Sequence, residues 1–519
     1  MSEVNIVVGN RVLRGVSGGN LGEILAKNGV IALPCGGRGL CGLCRVVVKK
    51  GSTSPPSKYE RALGYTGPVR LACQTRVLSD VEVELFPGLA KPVRINTVVV
   101  NPRRVEPVVT KVGPGLFRVL DRVVELTTDL QRALLVDLGT TKTAYQVVDL
   151  EGDVLAEDSV FTPLQDYGAD IITRLTKALE DKRYMDDMTT RLRGLVSEIA
   201  DKHNAGLVLL AGNSVMESIF FGLELDSLAE YPYQPPTRGP ILDSLGGRLV
   251  LGFPMLHGYL GGDAYADLVA TLELRLETPY LLIDIGTNTE IFLVKGEVVY
   301  GTSTPSGPAF ETGVSRGSTI VQGGVYEARI DRLENGRPVF SYKYLVSTSG
   351  ILGPALVSIV ADLRRHGLVD ENGKFTTGYA TIEGGLKVFY IDPSKDLYVS
   401  QLDVRNLQKA VAAVKSGIRI LMREAGVSSS DLRQVVVAGN FGAALDLEDA
   451  MAIGLVPQVD RERVLVVGNL VLPGLRVAFL DREYLVDFRE IAGKMVFVEL
   501  PKVADYMNVW IDSLRLSPL

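Results

Sequence analysis

Leu134-Leu135-Val136-Asp137-Leu138-Gly139-Thr140-Thr141-Lys142-Thr143 returns later in the chain as Leu281-Leu282-Ile283-Asp284-Ile285-Gly286-Thr287-Asn288-Thr289-Glu290. In each copy a buried-strand run reaches an aspartate, turns through Gly-Thr and enters a second strand. Those second strands are Ala144 to Leu150 and Glu290 to Lys295. A second signature is duplicated in step: Leu207-Val208-Leu209-Leu210-Ala211-Gly212-Asn213 and Val435-Val436-Val437-Ala438-Gly439-Asn440-Phe441-Gly442. Two motifs repeated in the same order predict a duplicated α/β unit with a cleft between its halves.

The residue types give that cleft its chemistry. Facing Gly-Thr turns offer backbone N–H groups and hydroxyls to a polyphosphate. An aspartate at each strand end holds Mg²⁺ through water or orients an attacking water. A glycine turn after a buried strand lets adenosine approach the backbone closely. No G-x4-G-K-[ST] occurs, which excludes a P-loop enzyme. No dinucleotide fingerprint follows a strand, which disfavours a flavin-linked reductase.

All four cysteines lie near the N-terminus, as Cys35, Cys41, Cys44 and Cys73. Their pattern is C-x5-C-x2-C-x28-C, and the first three sit among Gly36, Gly37, Gly39 and Gly42. Thiolates at this spacing hold a [2Fe–2S] cluster, and the glycines let a tight loop turn N–H groups toward sulfur. A structural zinc site is the rival, but it usually shows two C-x2-C knuckles and here there is one. Unligated thiols would not gather three cysteines among four glycines. Strand-like runs flank the tract at Val4 to Val8, Cys44 to Val48 and Val81 to Leu85, with a short helix expected from Leu21 to Asn28. Arg38 and Arg45 stand beside the cluster as cations for an acidic partner, or as plain surface residues.

Composition narrows the classes further. A chain of 519 residues exceeds one core. A net charge of −6 with no long basic run argues against a nucleic-acid partner. No signal sequence and no apolar run of membrane-spanning length is expected, and four cysteines are no disulfide scaffold, so the chain reads as cytoplasmic with no membrane partner. The three histidines, His203, His257 and His366, have no ligand-spaced neighbours, which leaves zinc-hydrolase chemistry unsupported.

The strand, helix and loop order around the cysteines resembles the β-grasp ferredoxin fold. The repeated motifs resemble the actin, sugar-kinase and heat-shock ATPase superfamily, whose core is ribonuclease-H-like. The expected fold class is thus multidomain α+β and α/β. Residues 1–87 are a [2Fe–2S] ferredoxin-like domain and 88–130 a Pro-rich linker or small accessory segment. Residues 131–519 are a two-lobed actin-like ATPase domain with repeats starting near 131 and 278. Helix Asp403 to Ala425 is expected to bury Val404, Leu407, Val411, Val414, Ile418 and Leu421 and to stop at Gly426.

Ferredoxin tract and ATPase core together resemble the reductive activators of corrinoid proteins over nearly the whole chain. Further motifs carry the resemblance: Gln165 to Arg174, Gly212 to Met216, Gly261-Gly262-Asp263-Ala264, Ser306 to Glu311, Gln401 to Arg405 and Ala438 to Gly442. Thr289, Thr312, Asn440 and Gly350 to Pro354 depart from the family pattern. The resemblance implies ATP-dependent, one-electron reduction of a cobalt(II) corrinoid to cobalt(I) through the [2Fe–2S] cluster. It implies Asp137 and Asp284 for Mg²⁺ and water positioning. Gly139, Thr140, Thr141, Gly286, Thr287 and Asn288 contact phosphates. Gly439, Asn440 and Gly442 lie on the adenosine side. Lys142 reaches a phosphate or is a solvated turn lysine. Asp263 and Glu290 are further acids, catalytic or locally hydrogen-bonding. Partners implied are a corrinoid protein (a corrinoid iron–sulfur protein or a methyltransferase corrinoid subunit), a low-potential electron donor and, as one admitted assembly, a second copy of the chain. Two other readings stay open: an ATP-dependent donor to another low-potential enzyme, and a redox-sensing nucleotide-binding regulator.

Overall fold

The computed structural model of the protein describes residues 3–9, 11–28, 30, 31, 44–57, 60, 61, 67–85, 98–125, 130–168, 170–307, 315, 316, 324–345, 350–376, 378, 380–383 and 385–519. Cys35, Arg38, Cys41, Pro308 to Glu311 and Thr312 lie outside the described residues, as does the side chain of Asn440.

The N-terminal unit contains β1 (Glu3–Val8), β2 (Arg11–Val16), α1 (Leu21–Lys27), β3 (Arg45–Lys50), β4 (Val69–Leu71) and β5 (Val81–Leu85). The sheet order is β2-β1-β5-β3-β4, with β1 and β5 parallel and the other pairs antiparallel. Strict alternation in β5 buries Val81 and Val83 and turns Glu82 and Glu84 away. Asn20 caps α1 by accepting from the Glu23 N–H at 3.1 Å. Leu21 and Leu25 of that helix are fully buried against the sheet. The helix ends at Lys27, slightly before the expected Gly29 stop.

Residues 98–125 are more than a tether. They contain the three-stranded meander β6 (Val109–Gly113), β7 (Leu116–Val119) and β8 (Arg122–Glu125). Val100, Val108, Val109, Phe117 and Val119 enter a core shared with the rest of the chain.

Two six-stranded sheets follow. The first is built from β9 (Arg132–Leu138), β10 (Lys142–Asp149), β11 (Val154–Phe161), β12 (Leu207–Gly212), β13 (Ile241–Leu245) and β14 (Arg248–Gly252), in the order β11-β10-β9-β12-β14-β13. The second is built from β15 (Tyr280–Ile285), β16 (Asn288–Lys295), β17 (Val298–Pro305), β23 (Gln434–Ala438), β24 (Val464–Val466) and β25 (Met495–Phe497), in the order β24-β23-β15-β16-β17-β25. Between β17 and β23 lie the hairpin β18 (Gly324–Glu334) and β19 (Arg337–Leu345), and the small sheet of β20 (Thr381–Glu383), β21 (Leu386–Asp392) and β22 (Leu397–Ser400). The halves repeat each other. β9, β10 and β11 form the same antiparallel meander as β15, β16 and β17, and β12 and β23 are the matching parallel neighbours.

Helices α2 (Ile171–Glu180), α3 (Lys182–His203) and α4 (Ser214–Phe221) bury one face of the first sheet. Helices α6 (Gly353–Arg365) and α7 (Gln401–Ala425) do the same for the second. In α7 all six expected face residues are fully buried. The helix starts two residues earlier than its apolar pattern because Ser400 and Asp403 form a reciprocal capping box, and Gly426 ends it at a φ of 60°. Between the sheets α5 (Gly262–Glu273) lies against α8 (Val471–Leu480). Their shared core takes in Ala133 and Leu135 from the first sheet and Leu282 and Phe292 from the second. No helix among the described residues is long and apolar enough to cross a membrane.

Candidate functional site

Sheet register explains why the two duplicated signatures travel together. Asp137 on β9 lies beside Ala211 on β12, and Asp284 on β15 lies beside Ala438 on β23. The alanine of each Ala-Gly-Asn therefore flanks the aspartate of each Asp-x-Gly-Thr, and its small side chain keeps the strand ends open. Gly439 makes the closest approach. Its φ is +82°, and a Cβ there would lie 2.5 Å from Asp284 Oδ1. Only glycine meets both conditions.

Each turn is braced from the strand that follows. Thr162 Oγ1 donates to the Gly139 carbonyl at 2.8 Å and pairs with the Thr143 hydroxyl at 3.0 Å. In the second half the Thr289 and Ser306 hydroxyls pair at 2.5 Å, and the Gly307 N–H donates to the Thr287 carbonyl at 2.9 Å. Thr289, a departure from the family pattern, thus has a buried structural use.

Asn213 accepts from the Met216 N–H at 3.0 Å, capping α4, while its amide donates to Thr140 Oγ1 at 3.3 Å. Asn469 repeats the device. It accepts from the Leu472 N–H at 3.0 Å, and its amide donates to Asp137 Oδ2 from the other half of the molecule. Sequence reasoning missed Asn469, although Val464-Leu465-Val466-Val467-Gly468-Asn469 is a third strand-Gly-Asn signature. Its strand, β24, is the parallel neighbour of β23.

The Gly-Gly-Asp motif packs onto the first Gly-Asn. A Cβ at Gly261 would lie 2.4 Å from the Gly212 carbonyl oxygen, and one at Gly262 would lie 2.5 Å from Glu217 Oε2. Glu217 is fully buried and accepts from the Gly212 N–H at 3.3 Å. Asp263 therefore enters the cleft from the start of α5, close to Asp137 and Asp284.

A group of carboxyls results. Burial pushes Asp137 up to about 7, and the charges of Asp263 and Asp284 add to it, against the lowering hydrogen bond from Asn469. Burial, aided by the charge of Asp284, pushes Asp263 up to about 7. Burial also raises Asp284, Glu290, Asp267 and Glu217, the last three well above the usual carboxylate range. Glu290 sits opposite Asp284 in the sheet and accepts from Ser303 at 3.2 Å. Asp267, one turn along α5 from Asp263, is 1% exposed and finds no N–H or O–H donor among its described neighbours; it faces Asp284. Mutually repelling carboxyls gain from a cation. Among the described residues no three metal-ligating side chains converge on one point.

Two expected nucleotide-site residues make local contacts, and one expected surface cation is buried. Lys142 places its ammonium 5.7 Å above the Phe161 ring, on the strand side of the turn. The space beside Gly442 is taken by Val437, whose Cγ1 would stand 2.8 Å from a Cβ at this position, so this glycine serves close helix-to-strand packing. Arg45 is not an exposed docking cation: it is 3% exposed, because β3 pairs it inward opposite Leu71.

Arg174 adds a buried charge beside the first turn. Its guanidinium is 1% exposed and donates to the carbonyls of Thr140 at 2.7 Å and Gly168 at 3.1 Å. Burial lowers it to about 10. Arg174→Met strips both carbonyls of their donor, so we expect a stability loss of about 3 kcal/mol, read by chemical denaturation, together with weaker ATP binding.

The cluster end can be tested on Cys44 and Cys73, which are both buried. The Cys73 N–H points at Cys44 Sγ at 3.4 Å, and Gln74 Nε2 lies 3.6 Å from Cys73 Sγ. Donors aimed at sulfur favour thiolates, as an iron–sulfur site requires. Gly22 of α1 packs directly on the Cys73 backbone, 2.6 Å from where its Cβ would stand.

Comparison with known proteins agrees with this layout. The family model for a 2Fe-2S iron-sulfur cluster binding domain matches residues 7–78. The RACo middle region matches 133–275, and the C-terminal domain of RACo, the ASKHA domain, matches 278–518. The corrinoid activation enzyme RamQ of Eubacterium limosum is 28% identical over 67% of this chain, which spans 64% of RamQ. The [Co(II) methylated amine-specific corrinoid protein] reductase of Methanosarcina barkeri is 23% identical over 70% of this chain and 72% of its own. A solved reductive activator for corrinoid, iron-sulfur protein shares the fold, with a TM-score of 0.66, 23% identity and 99% coverage of both chains. With a 2Fe-2S domain ahead of the RACo middle and ASKHA regions, the chain belongs to the RACo family.

Proposed function

We propose that the protein is an ATP-dependent reductive activator of a corrinoid protein. The observation that carries this reading is the cleft, where two Asp-x-Gly-Thr turns close on a buried carboxyl group in the same chain as a cysteine pair with donors aimed at sulfur. When bound, a [2Fe–2S] cluster supplies one electron, taking cobalt from +2 to +1. For a one-electron couple each ~59 mV of mismatch costs about tenfold in equilibrium, and ATP is the source that offsets it.

The cluster ligands in this reading are Cys35, Cys41, Cys44 and Cys73, in a domain of residues 1–87. Residues 88–130 connect it to an ATPase of residues 131–519. Asp137 and Asp284 would hold Mg²⁺ and position the attacking water, with Asp263 and Glu290 as further acids beside them. Gly139, Thr140, Thr141, Gly286, Thr287 and Asn288 take the phosphates, and Gly439 opens the adenosine side. Nucleotide drives the reduction only if its states bind the partner's states differently. Lobe closure around ATP would provide that difference. A low-potential donor in the cytoplasm would load the cluster.

The test mixes the purified protein, a reductant and a cobalt(II) corrinoid protein. Cobalt(I) absorbance should rise with Mg·ATP and stay flat without it. No ATP dependence with any corrinoid protein offered would defeat the reading.

A further inference from the structure

Helix α8 has one end in the nucleotide cleft and the other in the segment that leads to the cluster domain. At the cleft end Asn469, 8% exposed, joins Asp137 to the first turn of the helix through one side chain. Midway the helix has no slack. A Cβ at Gly474 would lie 1.9 Å from the Ala266 carbonyl oxygen of α5, next to Asp267, so the two helices shift as one packed pair. Along its outer side Arg476 donates to the carbonyls of Val100 at 2.8 Å and Gly152 at 2.6 Å. At the far end the Val108 N–H donates to the Phe479 carbonyl at 2.9 Å, and the Arg482 N–H donates to the Glu106 carbonyl at 2.8 Å. Arg482 also pairs with Asp121 at 2.6 Å. The Arg103 N–H donates to Glu273 at the end of α5, at 2.8 Å.

We propose that α8 transmits the nucleotide state of the cleft to residues 98–125, and that Asn469 is its positioning residue. The inference rests on the nucleotide reading of the cleft. An incoming Mg²⁺-nucleotide must reorganise the carboxyls around Asp137. Asn469 cannot keep its bond to Asp137 and its cap on α8 without carrying that change into the helix. The polar contacts at the far end then carry it to the segment that follows the cluster domain. Intermediate position alone does not establish coupling, so both ends need perturbing.

The test is hydrogen exchange on the full chain with Mg·ADP and with a Mg-bound non-hydrolysable ATP analogue. In the wild-type protein, exchange in peptides from 98–125 should differ about fivefold between the two nucleotides. Asn469→Ala should abolish that difference. Arg482→Gln lies outside the cleft and guards against simple misfolding. It should bind both nucleotides within about twofold of wild type and keep the response of residues 471–480, while the response of 98–125 falls because the Asp121 pair is lost. If 98–125 responds unchanged in both variants, or is silent in wild type while residues 137–143 and 284–290 respond, the transmission proposal is wrong. If no nucleotide alters exchange anywhere in wild type, the nucleotide reading fails and takes this inference with it.

Discussion

Cys73→Ala should abolish the proposed cobalt reduction while leaving intrinsic ATP hydrolysis within about twofold of wild type. The residue sits in a 3₁₀ turn, Ala72–Gln74, with its carbonyl held by Asn20 Nδ2 at 2.8 Å and its N–H aimed at Cys44 Sγ. Alanine keeps the backbone in place and removes only the sulfur. On the proposed ligand set a two-iron cluster would then lack one of its four thiolates. Iron content and the visible charge-transfer bands should both collapse. Far-ultraviolet circular dichroism should not change, because the packing around the turn comes from Leu21, Leu71 and Ala72. Retention of a full cluster in this variant would remove Cys73 from the ligand set.

Gly439→Ala should be the most damaging single methyl in the cleft. The position has a φ of +82°, which costs roughly 1–2 kcal/mol for an L-residue. The added carbon also meets Asp284 Oδ1 at 2.5 Å and the Ile285 carbonyl oxygen at 2.9 Å. Asp284 must swing away or β15 must part from β23. We expect ATP turnover to fall by about a thousandfold, with nucleotide binding weakened about a hundredfold. Isothermal titration and steady-state hydrolysis separate the two effects. Gly442→Ala, against a flexible valine side chain, should do far less to turnover. Equal turnover losses at the two positions would mean that the damage is general misfolding and not displacement of Asp284.

The contrast between those glycines shows which parts of the site the sequence could reveal. The turns at Asp137 and Asp284 were legible because a strand, an aspartate and a Gly-Thr corner lie within a few consecutive residues. Their repetition fixed the two-half plan. The third strand-Gly-Asn run, ending at Asn469, was equally local. It went unread because a twofold repeat gives no reason to expect three copies, and only the parallel pairing of β24 with β23 brings it to the cleft. Asp267 and Glu217 were hidden for another reason. An acid inside a helix pattern ordinarily marks the solvated face, and here tertiary packing buries both. Arg174 lay inside a quoted motif, but its bond to Thr140 spans two elements and has no sequence mark. Arg45 misled because one residue of register decides whether a strand side chain faces water or the core.

The burial of Cys44 and Cys73 has a kinetic consequence. Both lie at 2% and 4% exposure, behind β3 and under the close packing of Gly22. In the proposed reading a cluster bound to these sulfurs would have a wall on that side, and donor and corrinoid protein would both approach it from elsewhere. The two would then visit in turn, and reduction would follow ping-pong kinetics, with excess donor slowing the very transfer it feeds.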